Sequence, residues 1–341
     1  MSTIGAHDAP AWRAGWQHQS LLAHDVDEHA ARLSGWQQRY DQLTAGAFVG
    51  RLDQLSTGGA QVFRERTSQA LRQRCEVWPG AVWCGITAVQ DGSRIDGRLV
   101  GEHGVMVCGQ AARFELVSPA GHDILGVVID RAALQRHAQA TGMAIAWPMV
   151  DRAPWLQVTG PQRRLAQARL RAVLALAGAA DDAHRQAAAA VGSLEEALLD
   201  AVVDLLERPA EPEAVRCNAT ARRHVVQQVH EWIAENPAAV PSVPQLCARL
   251  HISRRTLQYA FEAETAMSPK AYLRSIRLNG ARRALRGGWG TTSVREAAAA
   301  WGFWNLSQFA SDYRHQFGER PSDTLLRASA WGLQPAGDCR K

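Results

Sequence analysis

The 341-residue sequence predicts an α+β N-terminal domain, a small β-sheet or barrel followed by helices, joined to an all-α C-terminal domain with two helix-turn-helix units. Three observations lead there. Short apolar or alternating runs divided by Gly, Asp and Pro fill residues 47–130, the pattern of successive antiparallel strands. From Arg131 onward apolar residues recur at helical spacing instead. In the last third a capped short helix, a tight turn and a second capped helix occur twice, at about 242–262 and 293–318.

The length suits about two domains. With 46% hydrophobic and 21% charged residues the composition is that of a soluble globular protein. No run approaches the ~20 apolar residues of a membrane span. The opening MSTIGAHDAPAWRAGW lacks both a basic and an apolar segment, so export is not expected and a cytoplasmic location is. Cysteines 75, 84, 108, 217, 247 and 339 form no CxxC pair and no zinc-like spacing with His, which points to thiols in a reducing compartment and to no metal.

Taken in order, the strand-like runs are FVGRLDQL (48–55), AVWCGITAV (81–89), RLVGEHGVMVC (98–108), ARFEL (112–116) and ILGVVID (124–130). Residues 131–141, 161–177 and 183–206 read as helices. ERPAEPEAVRCN (207–218), with two prolines and no apolar period, reads as a linker between a domain at 1–206 and one at 219–341. Charge divides at the same place. Residues 1–218 carry 21 Arg and no Lys against 24 acids, a balance of −3, whereas residues 219–341 carry 17 basic against 9 acidic side chains, a balance of +8. A basic module attached to a near-neutral domain suits a nucleic-acid partner.

In the first unit Ser242 and Gln245 have capping-box spacing, His251-Ile252 makes the turn and Ser253 caps the second helix. Leu257 and Phe261 share its inner face, leaving Arg254, Arg255, Gln258, Tyr259 and Glu262 outside. Arg can bond guanine in a bidentate manner and Gln adenine, so this face has the donors that base-edge reading requires. In the second unit Ser293 and Glu296 repeat the box, Trp301-Gly302-Phe303 turns and Asn305 caps. Phe309, Tyr313 and Phe317 lie inward, with Ser307, Gln308, Ser311 and Arg314 outward. Between the units, Ser268-Pro269 opens a helix to about Arg286, roughly 27 Å long at about 1.5 Å per residue. Its arginines 274, 277, 282, 283 and 286, with Arg314, are placed for flanking phosphates, which makes double-stranded DNA the expected partner.

The stretches SRRTLQYAF (253–261), RLNGARRAL (277–285) and AAAAWGFWNLSQFASDYRHQFGERPSD (297–323) resemble the AraC/XylS family of bacterial transcription regulators over residues 222–327. That resemblance implies base-reading positions at Arg255, Gln258 and Tyr259 in the first unit and at Leu306, Ser307 and Ser311 in the second. The sequence departs from the pattern at Ser311 and Asp312, where many members carry a basic residue. It also implies promoter DNA and RNA polymerase as partners and a sensing N-terminal domain, while the apolar stripes of residues 161–177 and 183–206 suit a homodimer face and packing within the domain equally well. Upstream, GWQQRYDQL (35–43), QVFRERTSQALRQRCEVWPG (61–80) and FELVSPAGHDILGVVI (114–129) resemble the ethanolamine-utilisation branch of the family. This implies activation in response to ethanolamine with adenosylcobalamin as effectors, and no covalently held cofactor.

From the residues alone, Trp36, Trp78 and Trp83 either line an aromatic effector pocket or pack in a core. Glu76 and Asp123 either pair with an ammonium or lie on the surface, and His103 and His122 either ligate a metal or are structural. Two other readings stand beside a ligand-responsive regulator. One is a constitutive DNA-binding protein whose N-terminal domain only dimerises. The other is an enzyme fused to a DNA-binding module, against which stand the missing PCHR-like methyl-acceptor motif, the missing HExxH and the lack of a Gly-rich phosphate loop.

Overall fold

The structure, a computed structural model, describes residues 16–88, 92–109, 113–180, 188–207, 217–235, 239–288 and 293–332. The expected linker therefore lies, over 208–216, outside the described residues, as do residues 183–187 of the expected helix and Cys339. The chain divides into two compact units. The first comprises residues 1–40, 49–68 and 73–213, and the second residues 41–48, 69–72 and 214–341.

Strands β1 (Gln17–Ala23), β2 (Gln37–Gln42), β3 (Gly50–Ser56), β4 (Ala60–Thr67), β5 (Leu71–Glu76), β6 (Ala81–Thr87), β7 (Arg94–Ile95), β8 (Arg98–Leu99), β9 (Gly104–Cys108), β10 (Arg113–Ser118), β11 (His122–Asp130) and β12 (Trp155–Gln157) form two sheets. One runs β1-β3-β4-β11-β6-β9-β12 and the other β2-β5-β10-β7-β8. The sheets are larger than the five apolar runs foretell, because β1, β2, β4, β5, β7 and β12 lie outside those runs, β1 and β2 being polar strands recruited by pairing. Antiparallel register sets Val62 opposite Val127, and Val127 opposite Cys84 on the other side. Because strand side chains alternate between faces, Val62, Cys84, Ile86, Leu125 and Val127 all turn to one side. There they pack on α2 (Arg131–Ala140), α4 (Gly160–Ala179) and α5 (Ala188–Leu206) in one core, while α1 (Val26–Ala30) and α3 (Trp147–Val150) are short. Thr159 caps α4 through a reciprocal box with Gln162.

The opposite face of the long sheet is buried too, and it is partly polar. Glu65 on β4 is held by His29 Nε2 at 2.9 Å and accepts a bond of 3.0 Å from the Tyr40 hydroxyl. Burial opposes ionisation of this carboxyl, yet the bonds and charge of its neighbours outweigh that, His29 first, and hold it below the usual carboxylate range. Gly126 is required beside it, since a Cβ there would lie 2.1 Å from the Phe63 ring. Burial pushes the Cys84 and Cys108 thiols up to about 12, so both stay protonated. His122 is buried near the Ser93 hydroxyl at 3.4 Å, and among the described residues no cluster of three or more His, Cys, Asp or Glu side chains could hold a metal.

In the second unit the helices are α6 (Cys217–Glu235), α7 (Val243–Leu250), α8 (Arg254–Thr265), α9 (Pro269–Arg283), α10 (Val294–Ala300), α11 (Leu306–Phe317) and α12 (Pro321–Gly332). Every cap read from the two patterns is in place: Ser242, Ser253, Ser268, Ser293 and Asn305 each accept a backbone N–H of the first turn. His251 takes the left-handed conformation at φ 52°, which reverses the chain between α7 and α8. The expected helix to Arg286 ends instead at Arg283 and passes into a wide turn over Ala284–Gly288, with Gly287 at φ 96°. The α-helical rod is thus 15 residues, roughly 22 Å at about 1.5 Å per residue. Among the described residues no helix is long and apolar enough to cross a membrane.

Candidate nucleic-acid interface

Helix α8 owes its position to its inner face. Leu257, Ala260 and Phe261 are fully buried, and the Phe261 ring meets Tyr272 of α9 edge-on at 5.2 Å. The Tyr272 hydroxyl in turn lies 2.9 Å from His230 Nε2 on α6, so three helices share one anchor. The opposite face presents Arg254, Arg255 and Tyr259 to solvent, with Gln258 half-buried among them. Two i, i+4 pairs hold these side chains in order. The Arg255 guanidinium donates to the Tyr259 hydroxyl at 3.2 Å and lies over its ring at 5.4 Å, while Gln258 Nε2 donates to Glu262 at 2.5 Å. The four residues proposed to read bases in the first unit therefore form one surface, and Glu262 belongs to it as an acceptor already in use.

In the second unit Phe303, Phe309, Tyr313 and Phe317 stack in sequence at 5.0, 5.6 and 4.7 Å, and the Tyr313 hydroxyl reaches Thr324 Oγ1 at 2.8 Å. Ser307, Gln308, Ser311 and Arg314 remain outside, as their spacing predicts, and so does Leu306, which the family resemblance named. Gln308 is tied to Asp312 at 2.8 Å, and Asp312 is also paired with Arg274 of α9.

The row of arginines expected at phosphates is the part that tertiary structure redirects. Arg282, only 5% exposed, pairs with Glu319 at 3.1 Å and lies 4.6 Å over the Phe317 ring, which leaves it no path to a phosphate. Arg277 donates to the carbonyls of Val240 and Pro241 at 2.9 and 3.3 Å, and burial lowers its pKa. Arg283 donates to the buried Asp41 carboxylate at 2.9 Å, and Arg274 holds Asp312. Arg286 is half-buried, and of the six only Arg314, which is exposed, and Arg274, whose side chain stays 42% exposed beside Asp312, meet solvent broadly. Lys270, Arg295 and Arg320, which the pattern reading passed over, are exposed cations of the same unit.

The segment 41–48 also belongs to this unit. Asn279 Oδ1 accepts the Gln42 N–H at 3.0 Å and its Nδ2 donates back to the Gln42 carbonyl at 2.9 Å. Gln42 Nε2 and the Gly46 N–H donate to the Gln316 carbonyl at 2.7 and 3.1 Å, satisfying an acceptor that the end of α11 leaves open. Nothing in the local sequence signals this partnership, because 237 residues separate Gln42 from Asn279.

Of the residues proposed for an effector, Trp36 and Trp83 meet in one aromatic cluster. Trp83 is fully buried and stacks on Phe114 at 4.2 Å. Trp36 stands edge-on to Phe63, Trp83 and Phe114 at 5.7 to 6.3 Å, and its indole N–H donates to Gln61 at 2.7 Å. These rings fill the space between one another, so Trp36 and Trp83 do not fit the two sides of a planar macrocycle. Glu76 is bonded to Arg113 at 2.8 Å and Asp123 to Arg64 at 2.6 Å, which removes both from an ammonium role in this arrangement. Trp78 is half-buried in the turn after β5.

A pair of helix-turn-helix units with outward polar reading faces defines a DNA-binding module. Residues 246–327 match the family model described as a helix-turn-helix domain. The XylDLEGF operon transcriptional activator 2 of Pseudomonas putida is 38% identical over 102 residues, covering 29% of this chain and 64% of that protein. Regulatory protein HrpB of Ralstonia nicotianae is 30% identical over 129 residues, covering 37% of this chain and 26% of that protein. The solved structure of a probable AraC family transcriptional regulator from Rhodopseudomonas palustris is 41% identical, covering 31% of this chain and 97% of that one, with a TM-score of 0.29. The chain thus spans less than two thirds of either curated relative. Over this segment the chain carries a helix-turn-helix domain and is similar to transcription regulators of the AraC/XylS kind.

Proposed function

We propose that this protein regulates transcription, as an activator, by binding promoter DNA through residues 242–318, with its N-terminal domain sensing a small molecule. The observation that carries this reading is the surface of Arg254, Arg255, Gln258 and Tyr259 on a helix whose other face is locked by Leu257 and Phe261. Activators among the relatives support the sign of regulation. RNA polymerase and a second copy of the chain are the further partners of this reading, and it places the protein with DNA in the cytoplasm. No step of it calls for catalysis by the chain.

Selection of duplexes from a random pool by the full-length protein tests the DNA-binding reading. One enriched motif is expected, with two parts about one helical turn apart and a binding constant that falls steeply with salt. Equal recovery of all sequences would overturn it.

The effector pair of ethanolamine and adenosylcobalamin is supported by the likeness of residues 35–43, 61–80 and 114–129 alone. Thermal unfolding of the protein with each compound, and with both, tests it. A ligand bound by the folded state at about 100 times its dissociation constant adds about 2.7 kcal/mol, enough to displace the midpoint by several degrees. No displacement with either or both would favour a constitutive regulator with a purely structural N-terminal domain.

A further inference from the structure

Trp304 is 85% exposed, the most exposed of the large apolar side chains that stand out among the described residues. It directly precedes Asn305, the cap of α11, and Leu306, the first residue of that helix, is 41% exposed beside it. In a helix-turn-helix unit the start of the second helix is the part that reaches base edges. Of the polar side chains there, Ser307 and Ser311 are short, and only Gln308, ordered by Asp312 as Gln258 is by Glu262, is a long hydrogen-bonding reader. Trp304 and Leu306 together set apolar surface at the place where a bound duplex would meet the unit.

The surroundings identify the partner as duplex DNA. Trp304 borders a hollow of about 560 Å³ with apolar Pro244, Leu273 and Phe303 on its lining. Arg254, the first residue of the other reading helix, and Lys270 of α9 lie on the same lining. The hollow is therefore continuous with both reading helices, and its lining sets Arg254, Lys270, Arg274 and Arg277 against one carboxylate, Asp312, an excess of positive charge that complements a phosphate backbone.

We propose that Trp304, with Leu306, reads thymine through apolar contact with its 5-methyl group, so that the second unit discriminates by apolar contact where the first uses hydrogen bonds. This inference rests on the DNA-binding reading above. It adds a specificity-determining residue that lies outside the outward polar positions of α11.

The test uses the full-length protein and the sequence it selects from a random pool, with deoxyuridine replacing each thymine in turn. In the part of the site read by the second unit, at least one such replacement is expected to weaken wild-type binding about fourfold, the loss of one methyl-sized contact. Trp304→Ala is expected to bind the thymine and uracil duplexes alike at that position, while responding as wild type does in the first part of the site. Leu306→Ala should reduce the response at the same or the adjacent position. A variant Trp304→Ala that responds as wild type does at every position, or a selected second part without thymine, would overturn the proposal. A wild-type protein that enriches no sequence would instead remove the DNA-binding reading beneath it.

Discussion

Phe309→Ala is expected to lower the stability of the second unit by about 3–5 kcal/mol, the cost of emptying a fully packed aromatic site. Phe309 has no exposed surface and touches the rings of Phe303 and Tyr313, so its removal opens a gap in the middle of the aromatic stack. Ala297, Ala298 and Trp301 belong to the same core, and they hold the α10–α11 turn in shape. Hydrogen exchange should therefore show the amides of α10 and α11 losing protection together, with the midpoint of unfolding falling in parallel. Phe309→Leu, which keeps most of the volume, should recover the larger part of the loss. A drop below about 1 kcal/mol for Phe309→Ala, judged against the usual cost of such truncations, would mean that the stack does not position α11.

Arg255→Ala and Gln258→Ala are expected to relax sequence preference, each at its own base pair and by about 1–3 kcal/mol, with little change in affinity for random duplexes. Both side chains are already ordered by partners on their own helix, Arg255 by Tyr259 and Gln258 by Glu262, so little freedom is lost when they meet a base. Arg314→Ala should act otherwise. Its exposed guanidinium suits a phosphate, and its loss should weaken all sequences alike and reduce the slope of log affinity against log salt by about 1. Titration of selected and scrambled duplexes at several salt concentrations separates the two kinds of effect. If Gln258→Ala weakened every sequence equally, α8 would be an anchor and not a reader.

Much of the C-terminal module is legible without coordinates because its signals are local. A hydroxyl or amide side chain three residues before a backbone N–H caps a helix wherever it stands, and Ser242, Ser253, Ser293 and Asn305 do so here. The spacing of Leu257 with Phe261, and of Phe309, Tyr313 and Phe317, likewise marks the inner faces. In the N-terminal domain the apolar strands β6, β9 and β11 announce themselves, whereas β1 (QHQSLLA) and β2 (QQRYDQ) do not. Their glutamines and aspartate have little strand preference of their own, and ladder bonds with a neighbour supply what side-chain pattern lacks.

The arginines of α9 mark where local reading stops. Sequence determined that this helix is basic, that two capped units flank it and that the first unit offers bidentate donors, since caps, periods and side-chain chemistry operate over a few residues. Tertiary structure alone decided which charges meet solvent. Glu319 and Phe317 claim Arg282, the carbonyls of Val240 and Pro241 claim Arg277, and Asp41, 242 residues away in the chain, claims Arg283. A helix buried on several sides turns its cations toward acceptors brought by other segments, because a buried charge must be paired, and no spacing rule contains those segments. The same folding left Trp304 uncovered beside the cap of α11, an exposure that no local spacing announces.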